Sequence, residues 1–293
     1  MAKLSHNIEY AAAYTGVKLA QLLSPRLADA FGVGLGMLTY AVLSSRRRIA
    51  RENLKSAFGD RLSDEEINNI VKGVFRNIGR TLIEFSRFRI SGLAGIKKVV
   101  RGDPAPLEKV YAEGKGGIIL TAHFGNWEMM GAWPAACGYP TDFLIGRQHN
   151  KKIDDLLIGF RETLGVGIIS LAKSSRQVFK ALKANHFTGI VSDQHNPAEG
   201  VVLDFFGRPA ATPKGPALFA IRCGCPLLPC VLRRERYDRH TVIWGEPVYP
   251  PGSGDEEADI RTMTVAYTRF FEREITRYPD MWLWTHRRWK VKN

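Results

Sequence analysis

Over residues 116–244 short apolar runs alternate with segments of helical periodicity, and that alternation restricts the chain to an α/β fold. The runs at 118–121, 142–145, 167–169, 189–192, 201–206, 227–232 and 241–244 are predicted strands. They read as a mixed, mostly parallel sheet flanked by helices. Between them, 151–164 places Ile153, Leu156, Leu157, Phe160 and Leu164 on a shared helical face and stops at Gly165. Further helices are predicted over 175–184, over 213–223 with Pro213 near the start, and over 255–278, where Ile260, Met263, Tyr267, Phe270, Phe271 and Ile275 face inward.

Ahead of the sheet the pattern is helical. A helix over 48–58 is closed by Gly59 and Asp60, and a longer one starts at Ser63, an N-cap with Glu66 three residues on. Ile67, Ile70, Val71, Val74, Phe75, Ile78 and Leu82 mark its apolar face, which reaches towards Phe88. No internal repeat or low-complexity linker interrupts the chain. The expected organisation is a membrane-directed helical segment over 1–45 and one domain over 46–293, made of a helical region (46–100) and an α/β core (101–293).

Within the core, His123 and Glu128 have four residues between them in the stretch Thr121-Ala-His-Phe-Gly-Asn-Trp-Glu128. On one straight helix the two side chains would diverge by about 140°. Here His123 follows a predicted strand, and Gly125-Asn126 supplies a turn into the next helix, so a loop histidine can meet a first-turn carboxylate. The carboxyl ends of strands are where open α/β sheets place ligands. An imidazole held by a carboxylate can take the proton of a hydroxyl as that hydroxyl attacks an acyl carbon. No G-x-S-x-G elbow is present, so direct attack is expected over a covalent acyl-enzyme. Backbone amides near Gly125, Asn126 or Gly207 are candidate oxyanion donors, because glycine permits close approach.

The net charge of +13 calls for an anionic neighbour. There is no zinc finger, aromatic RNA-binding signature or lysine-rich tail, and the cations stand beside tryptophans and apolar segments. A membrane surface is expected and nucleic acid is not. Cys137, Cys223, Cys225 and Cys230 fit no zinc spacing and read as small reduced thiols. His123, His149 and His195 also lack a metal-ligand pattern, and no metal or cofactor is expected.

The amino terminus carries apolar stretches over 10–23 and 27–43, the second followed by Arg46, Arg47 and Arg48. A transmembrane helix needs about 20 apolar residues. The second stretch is shorter and holds Asp29 and three glycines. It suits a tilted span, a hairpin in one leaflet, or amphipathic helices packed on the domain. A span would leave the main domain on the cytoplasmic side.

Four further blocks join the histidine stretch: Arg46-Arg-Arg-Ile-Ala-Arg-Glu-Asn-Leu54, Asp193-Gln194, Asp204-Phe-Phe-Gly-Arg-Pro-Ala-Ala-Thr212, and Tyr278-Pro-Asp-Met-Trp-Leu-Trp-Thr-His-Arg-Arg-Trp289. In this order they resemble the late acyltransferases of lipid A biosynthesis, within the lysophospholipid acyltransferase superfamily. Mycobacterial acyltransferases of phosphatidylinositol mannosides are similar over the same core.

The resemblance implies a glycerol-3-phosphate acyltransferase-like fold, with His123 as general base and Glu128 as its partner. It also implies an acyl carrier protein donor, an anionic glycolipid acceptor, and a place at the cytoplasmic face of a bacterial inner membrane. Asn126, Asp193, Gln194, Phe206 and Gly207 are then candidates for binding substrate, although Asp193 and Gln194 also suit a simple turn. Arg161 is the candidate for an acceptor phosphate, with Arg147 second; either can instead be a salt-bridged surface residue. The tail from Trp282 through Trp284, His286, Arg287, Arg288 and Trp289 to Lys290 combines rings and cations that favour a headgroup zone, or it packs as core. An acyl-CoA donor with a glycerophospholipid or mannoside acceptor is the alternative chemistry. A non-catalytic membrane-binding protein is the alternative of another class.

Overall fold

The computed structural model describes residues 2–171, 174–195 and 200–289, with the backbone alone for 2–5 and 174. Lys290 of the tail lies outside the described residues. Among these, seven strands form the main sheet: β1 (Val100–Arg101), β2 (Gly117–Thr121), β3 (Thr141–Ile145), β4 (Gly167–Ser170), β5 (Phe187–Val191), β8 (Leu227–Arg236) and β9 (Arg239–Trp244). Their order is β1-β9-β8-β2-β5-β3-β4. All neighbours run parallel except β8 and β9. This is the mixed, mostly parallel α/β sheet read from the apolar runs. β2 is buried along its whole length, which is why it reads as a continuous apolar run instead of an alternating one.

β6 (Gly200–Phe205) and β7 (Arg208–Pro213) form a separate antiparallel hairpin. Its two-residue turn is Phe206-Gly207, both with positive φ, at 53° and 69°. β7 was not legible as a strand, and it overturns one boundary: Pro213 closes β7, while α10 (Gly215–Cys223) begins after it with Pro216 in its first turn.

Helices cover the sheet: α6 (Ala105–Ala112), α7 (Trp127–Ala136), α8 (Lys151–Glu162), α9 (Ser174–Lys183) and α11 (Glu256–Arg277). The six inward residues expected on α11 are all buried. α3 (Ser44–Phe58) ends at Gly59 with a φ of 56°, and the Ser63–Glu66 capping box opens α4 (Asp64–Ser86). Ile67, Val71, Val74 and Phe75 of α4 are buried, whereas Leu82 is exposed. α5 (Phe88–Val99) falls within the helical region expected over 46–100 but was not separated as a helix of its own, because Gly92 breaks its helical geometry and blurs the period. Cys225 and Cys230 are buried, and all four cysteines are free thiols.

The amino-terminal stretches are helices α1 (Ala2–Leu22) and α2 (Pro25–Val42). No single described helix is long and apolar enough to cross a membrane; Pro25–Val42 with Ser44–Arg61, bent by 91°, passes as a pair on length and composition. Of the three glycines that interrupt the apolar stretch, Gly32 and Gly36 have a packing reason, and so does Asp29. Cβ atoms built at Gly36 and Gly79 would lie 2.3 Å from the Phe75 carbonyl oxygen and 2.1 Å from that of Gly32, so the backbones of α2 and α4 touch. Asp29 pairs with Arg80 of α4 at 2.8 Å beside this contact.

Gly79→Ala should therefore lower the unfolding free energy by about 1–2 kcal/mol, because overpacking costs outweigh the roughly 1 kcal/mol gain in helix propensity. Gly34→Ala, on the same helix as Gly36 but with nothing within 4 Å, should instead leave stability unchanged or raise it. Urea titration of both variants checks the pair of signs.

Candidate active site

β2 delivers His123 to the sheet's carboxyl edge, and the chain turns at Gly125 into α7. Gly125 has a φ of 55°, and a Cβ there would lie 1.7 Å from the Leu232 carbonyl oxygen, so only glycine fits. Its carbonyl accepts from Thr81 Oγ1 at 2.8 Å and Asn77 Nδ2 at 3.2 Å. Its amide donates to the Met281 carbonyl at 2.9 Å, which removes it from the candidate oxyanion donors. The His123 carbonyl in turn accepts from the Leu283 amide at 3.0 Å. The histidine backbone is thus held from α4 and from the tail.

The imidazole's partner is Asp193, not Glu128. His123 Nδ1 lies 2.7 Å from Asp193 Oδ1, and the His123 amide donates to Oδ2 at 2.9 Å. Trp282 Nε1 donates to the same Oδ2 at 2.7 Å. Thr121 at the end of β2 is in register with Val191 at the end of β5, which places the two following loops side by side. With Nδ1–H donated to the carboxylate, Nε2 is the basic nitrogen. The Asp193 side chain is only 3% exposed and that of His123 22%. Burial disfavours the imidazolium, but the Asp193 charge and hydrogen bond outweigh it, with Glu128 adding, and the His123 pKa is raised. Burial likewise works against a charged Asp193, yet His123 and the Trp282 indole hold it below the usual carboxylate range.

Glu128 sits on the first turn of α7 and turns to α8, where Arg161 donates to both its oxygens, at 2.9 and 2.6 Å. The Arg161 guanidinium also lies over the Phe85 ring, 5.0 Å from its centroid. The bidentate fork explains why the carboxylate prefers the arginine to the imidazole. Arg147, Arg161, Glu128, Gln194 and His123 all line one cleft of about 550 Å³, which Leu82, Phe85, Phe143, Ile145 and Leu157 line as well. Arg147 pairs with Asp154 at 2.9 Å and is largely exposed, so the salt-bridged surface alternative is the one observed for it.

Besides Asp193, which lies behind His123 and does not line this cleft, three expected substrate residues are engaged elsewhere. Asn126 is fully buried; its side chain caps α7 at Met129 and donates to Glu84 at 2.6 Å. Phe206 and Gly207 form the hairpin turn, and the Phe206 ring packs on Phe58 and Trp284. Among the described residues no group of three or more His, Cys, Asp or Glu side chains gathers as a metal site.

Sequence reading missed a buried charge network under the loop. Arg234 of β8 donates to Glu84 at 3.0 and 2.7 Å, to Thr81 at 2.9 Å and to Asn77, while His240 lies 3.3 Å from Glu84. Burial would push Glu84 up, but Arg234 and His240 hold it well below the usual carboxylate range. The signal was present: Asn77, Thr81 and Glu84 recur at i, i+4 and i+7 on one stripe of an otherwise apolar helix. The tail proves to be core. Trp282 and Trp284 are buried, and Arg288 donates to the Ala211 carbonyl and Thr212 Oγ1, its pKa lowered by burial to about 10.

Comparison with known proteins matches residues 2–291 to the family described as bacterial lipid A biosynthesis acyltransferase. A phosphatidylinositol mannoside acyltransferase of Mycobacterium tuberculosis is 28% identical over 62% of this chain and 57% of its own length. The match thus spans less than two thirds of that relative. A lipid A biosynthesis lauroyltransferase of Escherichia coli is 24% identical over 89% of this chain and 84% of its own length. A palmitoleoyltransferase of the same organism is 22% identical over the same shares.

The raised His123 pKa contributes stability that is complete below the ordinary imidazole value of 6.5 and is lost as pH rises through the folded value. The lowered Asp193 pKa contributes stability present above 3.8 and lost as pH falls through its folded value. The stability difference between the parent protein and Asp193→Asn should therefore be largest between those two limits and shrink towards alkaline pH. Urea unfolding at a series of pH values measures it, and a pH-independent difference would contradict the coupling.

Proposed function

Because the chain belongs to the bacterial lipid A biosynthesis acyltransferase family, we propose that it moves a fatty acyl chain from a thioester to a hydroxyl of a lipid A precursor, with His123 as general base. The observation that carries this reading is the His123–Asp193 pair, whose imidazole lines a partly apolar cleft. The acceptor hydroxyl approaches His123 Nε2 and loses its proton as its oxygen attacks the thioester carbonyl. Collapse of the tetrahedral intermediate breaks the carbon–sulfur bond, and the proton passes from the imidazolium to the leaving thiolate. Asp193 fixes the tautomer and stabilises the imidazolium, the role first assigned to Glu128.

Glu128 and Arg161 form the charged wall beside the base. Glu128 takes the Nε and Nη2 donors of Arg161, so the remaining Nη1 group of Arg161 is the one to bind a phosphate of the acceptor. The donor is acyl carrier protein: an acidic carrier suits a surface of net charge +13. The enzyme works at the cytoplasmic face of the inner membrane. Leu19, Leu22, Leu27, Leu38 and Val42 are exposed along α1 and α2, and Leu82 and Leu171 are exposed at the cleft itself, an apolar surface suited to the bilayer.

A second reading keeps the chemistry and changes the substrates to acyl-CoA and a phosphatidylinositol mannoside; the higher identity to the mycobacterial relatives favours it. The longer match to the lipid A enzymes, over most of both chains, favours the first.

His123→Ala should lower transfer of a radiolabelled acyl chain by at least about a hundredfold, and Asp193→Asn by about 10² to 10⁴, with the fold retained. In the parent enzyme kcat/KM should rise with pH through a value above the ordinary imidazole pKa, since only neutral His123 accepts the proton. Assays with lipid A precursor and mannoside acceptors, each with carrier-protein and CoA donors, separate the two readings. Transfer from neither donor to either acceptor would reject both.

A further inference from the structure

One aromatic ring lining the cleft is confined by two glycines. Phe143 of β3 stands in register with Gly189 of β5 and against Gly131 of α7, and all three line the cleft. A Cβ on Gly131 would lie 2.6 Å from the ring's Cε1, and one on Gly189 would lie 3.1 Å from its Cδ1. The ring therefore fills a slot that exists because both neighbours lack side chains. Neither glycine has the positive φ that would otherwise explain its choice.

The slot lies away from the base. Gly189 is two residues down β5 from Val191, which is paired with Thr121, and β3 is two strands from β2. Two residue rises and two strand spacings put the Phe143 backbone roughly 12 Å from the end of β2. Ile145 and Leu157, which pack in the same core cluster as Phe143, line this cleft too, together with the charged Arg147, Arg161 and Glu128.

We propose that Phe143 is the floor of the acyl-chain slot and sets the longest chain the enzyme transfers, with Gly131 and Gly189 seating its ring. This rests on the acyltransfer reading above. A chain one methylene too long must displace a ring that is already confined on two sides, and a pocket of this kind discriminates by about 10- to 200-fold per methylene.

The test is a profile of kcat/KM over acyl carrier protein and CoA thioesters that lengthen two carbons at a time. In Phe143→Leu the ratio for the donor two carbons longer than the preferred one should rise at least about tenfold over the parent. Phe143→Ala should extend the range further. Adding Gly131→Ala to Phe143→Ala returns a carbon to the slot and should shift the preference back towards shorter chains. Phe143→Leu and Phe143→Ala with altered overall rates but the parent's length profile would overturn the assignment and leave Phe143 as core packing alone. A parent protein that transfers no chain at all would overturn the acyltransfer reading and this inference with it.

Discussion

The Asp193 carboxylate is the join on which the site depends. It is buried, and its two oxygens accept from the His123 ring, the His123 amide and the Trp282 indole, so one side chain ties the loop after β2 to the loop after β5 and to the tail. A buried carboxylate is tolerated only when its lone pairs are satisfied by donors of this kind. The ties continue outward. Asn53 of α3 donates to the carbonyls of Trp284 and His286, and Arg288 reaches the hairpin at Ala211 and Thr212. The five sequence blocks that carry the family resemblance are thus successive links in one set of hydrogen bonds around the histidine.

Beneath that set lies a second one of opposite character. Glu84 and Arg234 place charge in the interior beside His240 and use Asn126, Asn77 and Thr81 to spread it. Removing one member of such a group leaves the others uncompensated, which is costlier than never having buried them. Its geometric product is the fixed turn at Gly125, whose carbonyl is held by two of the same residues. The base is therefore oriented twice, through its ring by Asp193 and through its backbone by α4 and the tail.

The sheet was legible because buried parallel strands must be apolar throughout: six of the seven predicted strands lie in it, the seventh is β6 of the hairpin, and the two-residue β1 was too short to read. β7 was not, since Arg208-Pro209-Ala-Ala-Thr212 lacks both alternation and a long apolar run, and its strand character comes from pairing with β6. The histidine was legible from its place after β2. Its partner was not, because which of two carboxylates meets a ring is settled by distance in space: Glu128 is near in sequence but satisfied by Arg161, and Asp193 is 70 residues away but one strand over. The tail's tryptophans carry the composition of a membrane interface, and only packing shows that Trp282 and Trp284 are interior.

The contact of α2 with α4 has a consequence for the timescale of motion. Where Gly32 and Gly36 meet Gly79 no layer of side chains separates the two backbones, so the helices have nothing to slide upon or repack. They must rock or detach together. Amide protons around Gly32 and Gly36 would then exchange with solvent deuterium as slowly as those of α4, even though the opposite side of α2 bears exposed leucines. A peripheral helix with an exposed apolar flank would behave, on the scale of hydrogen exchange, as part of the interior that holds the histidine in place.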